Sequence, residues 1–280
     1  MFSIARKAFI AALLAGVAGP AFAADPYEPV ADPAPPPVVY QEAAVSDYGG
    51  WYIRGDLDYH WQDFRGADYV LYDPVGSSDE FDFGDIDDSW SLGGGVGYQI
   101  NRHLRTDVTG DWMFEADFRG QTSDGVEFSD DRSSVSTFLL LANAYVDIGT
   151  WHGITPYVGA GIGGAWVKWD DLNNTIIPGG DTTTHGGAES WRFAYALSAG
   201  ASYCLTQNLK FDAGYRYSHI EGGKMFDFAA DAPGGAGPGY DDGFDSHEVR
   251  GGLRYQFGKS DCAEPEQVAY EPLPEPVYTK

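Results

Sequence analysis

The sequence is poor in several features that would place it in other protein classes. Its 17 Lys and Arg face 42 Asp and Glu, so the formal charge is −25 and nucleic acid is an unfavourable partner. Two cysteines are too few for a disulfide framework or a tetrahedral cysteine zinc site. After residue 23, no apolar run reaches the ~18 residues that a membrane-spanning helix needs. These deficits exclude a nucleic-acid binder, a disulfide scaffold and a helical membrane bundle.

The composition that remains is typical of a β-protein. Gly occurs 37 times, aromatic residues make up 15% of the chain and there are only three Met. High Gly, high Tyr and Trp, and few Met are more typical of a β-protein than of a helical one.

The two ends of the chain differ from its middle. Arg6 and Lys7 precede an apolar run over residues 8–18, and an Ala-Phe-Ala triplet ends at residue 23, which predicts a secretory signal peptide over residues 1–23. Proline-rich segments follow at residues 24–48 and close the chain at residues 258–280, and we expect both to be extended periplasmic segments. The part between them, residues 49–257, is the predicted folded domain.

Apolar and polar residues alternate with a period of two in this domain. Eight such segments occur, at residues 51–62, 89–100, 104–118, 134–148, 155–169, 190–203, 209–219 and 246–257. The connections between them are alternately short and long, and the long ones are acidic and Gly-rich. This pattern predicts an all-β fold, an eight-stranded antiparallel transmembrane β-barrel of the outer membrane with both termini in the periplasm.

A soluble barrel with its apolar face inward is the alternative reading. An eight-stranded barrel has room inside only for side chains, and the many large aromatic residues would overfill it. The aromatic residues also cluster at strand ends, where an aromatic girdle would meet the two membrane interfaces. The predicted girdle consists of Trp51, Trp61, Trp90, Trp112, Trp166, Trp191, Tyr203, Tyr255 and Phe257.

The polar faces of the predicted strands carry charges of both signs. The inward cations are Arg54, Arg105, Arg192, Lys210, Arg216, Arg250 and Arg254, and the inward anions are Asp56, Asp58, Asp107, Asp111, Glu115, Asp117, Asp147, Asp212 and Glu248. Unpaired charges away from water are costly, so these groups should form an ion-pair network that plugs the interior.

Four segments resemble a known family. Residues 49–55 (Gly-Gly-Trp-Tyr-Ile-Arg-Gly), 155–161, 209–217 and the closing residues 250–257 are similar to the opacity-type surface antigens, small outer-membrane barrels of the porin family that are common in alphaproteobacteria. The resemblance spans residues 49–257. It implies a barrel inserted by the barrel assembly machinery and surrounded by outer-membrane lipid and lipopolysaccharide. The tail after Phe257 departs from the family pattern of a terminal aromatic residue.

The sequence offers little catalytic or ligand-binding chemistry. No spacing matches a metal or cofactor site, and residues 81–88 are acidic without the order of an EF-hand. The adjacent pairs Ser218-His219 and Ser246-His247 would need cross-strand contacts to act in hydrolysis. We therefore expect a non-enzymatic structural protein that contributes to envelope integrity and contacts a host or surface partner through acidic extracellular loops.

Two other functions are compatible with the sequence. A narrow porin is the first alternative, and it requires an unblocked interior. A haem or small-ligand site formed by His185, His219 and His247 at the outer end is the second.

The two cysteines form the last candidate site. Both belong to the exported chain, where oxidising conditions favour disulfides. Cys204 ends the sixth predicted strand, and Cys262 lies five residues beyond the eighth. Five extended residues cover ~16 Å, more than the ~10 Å of two strand spacings, so a Cys204–Cys262 bond is within reach. The alternative is two free thiols.

Overall fold

The computed structural model describes residues 49–70, 78–123, 127–227, 229, 239–258 and 260–262. Within these ranges the chain forms strands β1 (Gly50–Phe64), β2 (Ala67–Val70), β3 (Ser78–Glu80), β4 (Phe83–Ile86), β5 (Ser89–Gln99), β6 (Leu104–Gln121), β7 (Phe128–Asp147), β8 (Ile154–Trp169), β9 (Leu172–Ile177), β10 (Thr182–His185), β11 (Glu189–Cys204), β12 (Leu209–Ile220), β13 (Gly223–Lys224), β14 (Gly239–Asp241) and β15 (Phe244–Gln256). This described part contains no helix with the length and apolarity needed to cross a membrane.

Eight long strands pair in a closed series. The order is β7-β8-β11-β12-β15-β1-β5-β6, and β6 pairs again with β7, so the series forms a ring. All of these pairings are antiparallel. The predicted all-β, antiparallel fold is thereby confirmed.

The period of two in the sequence places alternate side chains inside and outside the ring. On β1 the residues Arg54, Asp56 and Asp58 are buried, whereas Ile53 and Leu57 are about half exposed. Successive strand residues point to opposite faces, so the charged face lies inside and the apolar face outside. This arrangement is the reverse of a soluble protein.

The two ends of the ring differ. At one end, which we call the turn end, strands are joined by short connections at residues 100–103, 148–153 and 205–208. At the other, the loop end, the long connections form further strands. Strands β13, β14, β2 and β3 build a separate four-stranded sheet there, and β4, β9 and β10 extend the sheet of the ring.

Several predicted segments lie outside the described residues. These are the signal peptide at 1–23, the proline-rich arm at 24–48 and all of the 258–280 tail except residues 258 and 260–262.

Candidate functional site

The ring interior holds a central cluster of buried charges. Arg216 contacts Asp111 at 2.8 Å, Glu248 at 2.6 Å and Asp58 at 3.8 Å. Arg250 reaches Asp58 at 3.3 Å and Asp111 at 3.4 Å, so two guanidinium groups share the same carboxylates. All five residues belong to the predicted network, and the structure brings them together in one cluster.

A second group lies closer to the turn end. Arg54 binds Asp56 through two nitrogens, at 2.7 and 2.8 Å, and contacts Asp107 at 3.3 Å. Asp107 also accepts hydrogen bonds from Tyr52 at 3.0 Å and Asn143 at 2.8 Å. Each oxygen of this carboxylate therefore has a donor, which a buried anion requires.

Arg105 is enclosed by aromatic rings near the turn end. Its Nε donates to Asp147 at 3.0 Å, and its guanidinium lies over the rings of Tyr145 and Tyr157 at 4.1 and 4.6 Å. Arginine is more weakly hydrated than lysine and stacks on aromatic faces, so this geometry suits burial.

The remaining interior cations also have carboxylate partners. Arg254 binds Asp212 at 3.0 Å and donates to Ser202 at 2.8 Å. Lys210 pairs with Asp261, which lies beyond the last strand of the ring. The tail therefore supplies one anion of the interior.

Arg192 lies apart from the other interior cations, at the loop end. Its Nη1 contacts Asp241 of β14 at 2.6 Å and its Nη2 donates to the carbonyl of Lys224 at 3.1 Å. Burial raises the pKa of the Asp241 carboxyl, although Arg192 acts in the opposite direction. Arg192 thus anchors a loop strand to the ring rather than joining the central cluster.

The prediction that Glu115 faces inward is wrong. A β-bulge between Met113 and Ala116 interrupts the register of β6 with β7 and reverses the alternation beyond it. Glu115 and Asp117 are exposed on the outer wall, whereas Ala116 and Phe118 are buried inside. The sequence shows no glycine or proline at this point that would mark the bulge.

The loop-end half of the interior contains a large apolar cluster beside the Arg192–Asp241 pair. The buried side chains of this cluster come from strands and loops: Met113, Phe118, Val135, Leu139, Leu141, Val167, Trp169, Leu172, Ile220, Met225, Phe226 and Phe244. Trp169 and Phe118 meet edge to face at 5.2 Å between ring centroids. Ion pairs and a packed apolar cluster thus occupy different parts of the interior.

Glycines make room for the large interior side chains. A Cβ at Gly93 would lie 1.9 Å from Oδ1 of Asp111, and one at Gly97 would lie 2.3 Å from the ring of Tyr52. These positions therefore require glycine because of close approach rather than backbone conformation.

The outer wall carries aromatic residues near both ends of its apolar band. Trp112, Phe138, Trp166 and Trp191 are direct cross-strand neighbours on four adjacent strands. Trp61 and Trp90 also face outward towards the loop end, and Trp51, Tyr203, Tyr255 and Phe257 face outward near the turn end. Trp61 lies ten positions after Trp51 on β1. At ~3.4 Å per residue and a typical strand tilt of ~40°, the two side chains are about 26 Å apart along the axis of the ring.

The two cysteines are bonded in the structure. Cys204 and Cys262 form a disulfide with a Cα–Cα distance of 5.7 Å. The bond joins the turn end of β11 to the start of the tail.

The candidate hydrolytic pairs are not formed. Strand register pairs His219 with Asp245 and Ser218 with Ser246, so the serines lie inside the ring and the histidines outside. His219 contacts Asp245 at 2.6 Å, and His247 contacts Asp63 at 3.2 Å.

The three candidate haem ligands are likewise divided between two surfaces. His219 and His247 lie on the outer wall, whereas His185 is buried beneath the loops with Asp131, beside a cavity of about 30 Å³. Among the described residues, no three metal-binding side chains converge on a common point.

Sequence reasoning missed two classes of interior residue. Asp241 and Asp261 come from loop and tail, where no alternation marks their direction. The apolar cluster could have been recognised from the sequence, because Leu139 and Leu141 lie at inward-facing positions of β7.

Several known proteins are similar to this chain. An uncharacterised protein of Brucella abortus is 36% identical over 265 residues, covering 82% of this chain and 89% of its own. A Rickettsia conorii protein named as a candidate adhesin is 33% identical over 127 residues, covering 44% of this chain and 50% of its own. The solved structure of outer membrane protein OprG from Pseudomonas aeruginosa has a TM-score of 0.49 and 16% identity, covering 75% of this chain and 97% of that one.

A family model extends the comparison over most of the chain. It matches residues 9–257 and describes an outer membrane protein beta-barrel domain. This match supports a location in the Gram-negative outer membrane and a role at the envelope surface. The chain belongs to the outer membrane protein beta-barrel domain family.

Proposed function

We propose that this protein is an eight-stranded transmembrane barrel that displays acidic loops at the cell surface and has a closed interior. The observation that carries this proposal is the division of the ring. Apolar side chains cover its outer wall, while ion pairs and an apolar cluster fill its inside. An outer wall of this kind needs lipid around it. A filled interior leaves the loops as the part that meets other molecules.

The proposed orientation places the turn end in the periplasm. Residue 49 and residues 260–262 lie at the turn end, where the connections are short. Short turns are typical of the periplasmic side of outer-membrane barrels, and long loops of the outer side. Both termini are therefore assigned to the periplasm, and lipopolysaccharide surrounds the loop end.

The loop end carries an excess of exposed acids. Those described are Asp79, Glu80, Asp82, Asp85, Asp88, Glu127, Asp171, Asp181, Glu189, Glu221, Asp227 and Asp242. Such a surface favours cationic groups on a host or neighbouring cell, or divalent ions that bridge to lipopolysaccharide phosphates. The similarity to a protein named as a candidate adhesin supports a contact role. The partner chemistry of this surface is thus cationic.

The alternatives have less support. A narrow porin needs a continuous path, and Arg216, Arg250 and the apolar cluster occupy that space. A haem site formed by the three candidate histidines has less support, since His185 is buried beneath the loops and His219 and His247 lie on the outer wall.

Surface display can be tested with two added cysteines. Asp181→Cys lies in the β9–β10 connection at the loop end, and Arg102→Cys lies in the matched β5–β6 turn. A membrane-impermeant maleimide should label intact cells only through Asp181→Cys, and Arg102→Cys only after the outer membrane is permeabilised. The reverse pattern would overturn the proposed orientation.

The contact role needs its own experiment. The triple variant Glu80→Gln, Asp82→Asn and Asp181→Asn should lower the adherence of expressing cells to a polylysine-coated surface. A matched control neutralises acids on the outer wall of the ring, with Glu115→Gln and Asp117→Asn, and should adhere like wild type. Equal adherence of the triple variant and wild type would refute a contact role for these loops.

A further inference from the structure

The chain turns back across the turn end after its last strand. Asn208 in the β11–β12 turn donates from Nδ2 to the carbonyl oxygens of Gln256 at 2.8 Å and Gly258 at 2.9 Å. The hydroxyl of Ser260 donates to the carbonyl of Gln207. These bonds hold the chain against the turn rather than releasing it at the end of β15.

Residues 260–262, which we call the strap, then cross part of the ring. Cys262 is bonded to Cys204 of β11, and Asp261 reaches Thr155 at the start of β8. In ring order β15, β12, β11 and β8 are successive neighbours. The strap contacts β12, β11 and β8, and it therefore covers two strand spacings, about 10 Å of the rim at ~4.8 Å each.

Asp261 has partners on both carboxylate oxygens. Oδ1 accepts from the ammonium of Lys210, and Oδ2 accepts from Thr150 and, at 3.2 Å, from Thr155. The two threonine hydroxyls also contact each other at 2.7 Å. Burial opposes ionisation of Asp261, yet Lys210 and these hydrogen bonds hold the pKa of its carboxyl below the usual range.

Lys210 explains why this site requires an anion. Its side chain is 3% exposed, and among the residues that the structure describes Asp261 is the carboxylate within ion-pair distance of it. A buried ammonium without a counter-charge is costly, so the position needs an anionic partner. The strap supplies one from outside the ring.

We propose that Lys210, Thr150 and Thr155 form a carboxylate-binding site at the turn end, and that Asp261 occupies it as a built-in ligand. The disulfide holds this ligand at a high effective concentration, so that free carboxylates do not compete with it. The bound strap covers the rim of the ring beside β12, β11 and β8.

Chemical rescue tests this site. Asp261→Gly removes a group that acetate closely replaces, and it keeps the disulfide. In folded protein in detergent micelles, an amine-reactive ester should modify wild-type Lys210 about tenfold more slowly than the exposed Lys168, because burial protects it. In Asp261→Gly the rate at Lys210 should approach that at Lys168. Acetate at twice its dissociation constant should then slow the modification of Lys210 in this variant about threefold relative to the same concentration of chloride.

The controls separate the site from a loss of fold. Asp181→Gly makes the same change in a distant loop and should leave Lys210 protected, and heat-modifiable gel migration shows whether each variant is folded. If Asp261→Gly does not fold, Asp261→Asn should expose Lys210 in the same way. The proposal is overturned if wild-type Lys210 reacts as fast as Lys168, if neither variant raises its rate, or if acetate protects no better than chloride.

Discussion

Replacing Arg216 by Gln should strongly destabilise the protein. Arg216 is about 1% exposed and contacts three carboxylates, those of Asp111, Glu248 and Asp58. The substitution leaves these carboxylates inside the ring, where Arg250 still contacts Asp58 and Asp111 but not Glu248 at ion-pair distance. Buried anions that lose their partner retain the cost of desolvation.

The expected loss in the free energy of unfolding follows from the burial of Arg216. Removing one partner of a buried ion pair costs about 3–5 kcal/mol. With a urea dependence of ~2 kcal/mol per molar, the unfolding midpoint should fall by about 2 M. Arg132→Gln is the matched control, because Arg132 forms an equally short pair with Asp130, at 2.9 Å, but its side chain is 64% exposed. An exposed pair contributes about 0–1 kcal/mol, so the midpoint should fall by less than ~0.5 M.

The assay is urea unfolding of protein refolded into lipid vesicles, followed by tryptophan fluorescence. A large shift for Arg216→Gln and a small one for Arg132→Gln are expected. Equal small shifts would mean that the interior pairs are solvated like surface pairs, and the reasoning about a filled interior would be refuted.

Three further predictions concern the bulge, the wall and the strap. Asp111→Asn should lower stability by about 2–4 kcal/mol, whereas Glu115→Gln, four residues along the same strand, should change it by less than ~0.5 kcal/mol, as measured by urea unfolding. In single-tryptophan variants, brominated lipid should quench Trp166 on the outer wall and leave Trp169 in the interior unquenched; equal quenching would contradict their placement. The carboxyl of Asp261 has a lowered pKa in the folded state, so its contribution is present above the unfolded pKa of ~3.9 and is lost as pH falls through the folded value. Acid should therefore destabilise wild type more than Asp261→Asn as the pH falls below ~5, and parallel stability profiles would show that the strap contact is absent.

Much of the ring could be predicted because its physics is local. Side chains of a strand alternate, so a period of two in the sequence gives both the strand positions and the face of each residue. For this reason the sequence predicts interior positions for Arg54, Asp111 and Arg216, and all three side chains are buried. The lengths of the strands are less predictable. Strand β7 already begins at Phe128, because its first residues pair with β9, a loop strand whose sequence shows no clear alternation.

The errors arise where non-local contacts decide the structure. The bulge in β6 buries Phe118 against Trp169 and Phe64, and this tertiary packing outweighs the alternation that would place Glu115 inside. The partner of Lys210 was missed for a similar reason. Asp261 is held in place by a disulfide between two cysteines that are 58 residues apart in the sequence. Strand periodicity carries no information about such a contact.

Single-channel recording in planar bilayers tests the central claim, a closed interior, most directly. The account predicts no steady openings at nanosiemens scale for the folded protein, because ion pairs around Arg216 and Arg250 and the apolar cluster fill the ring. Steady openings at that scale, from protein shown to be folded by heat-modifiable migration, would contradict it.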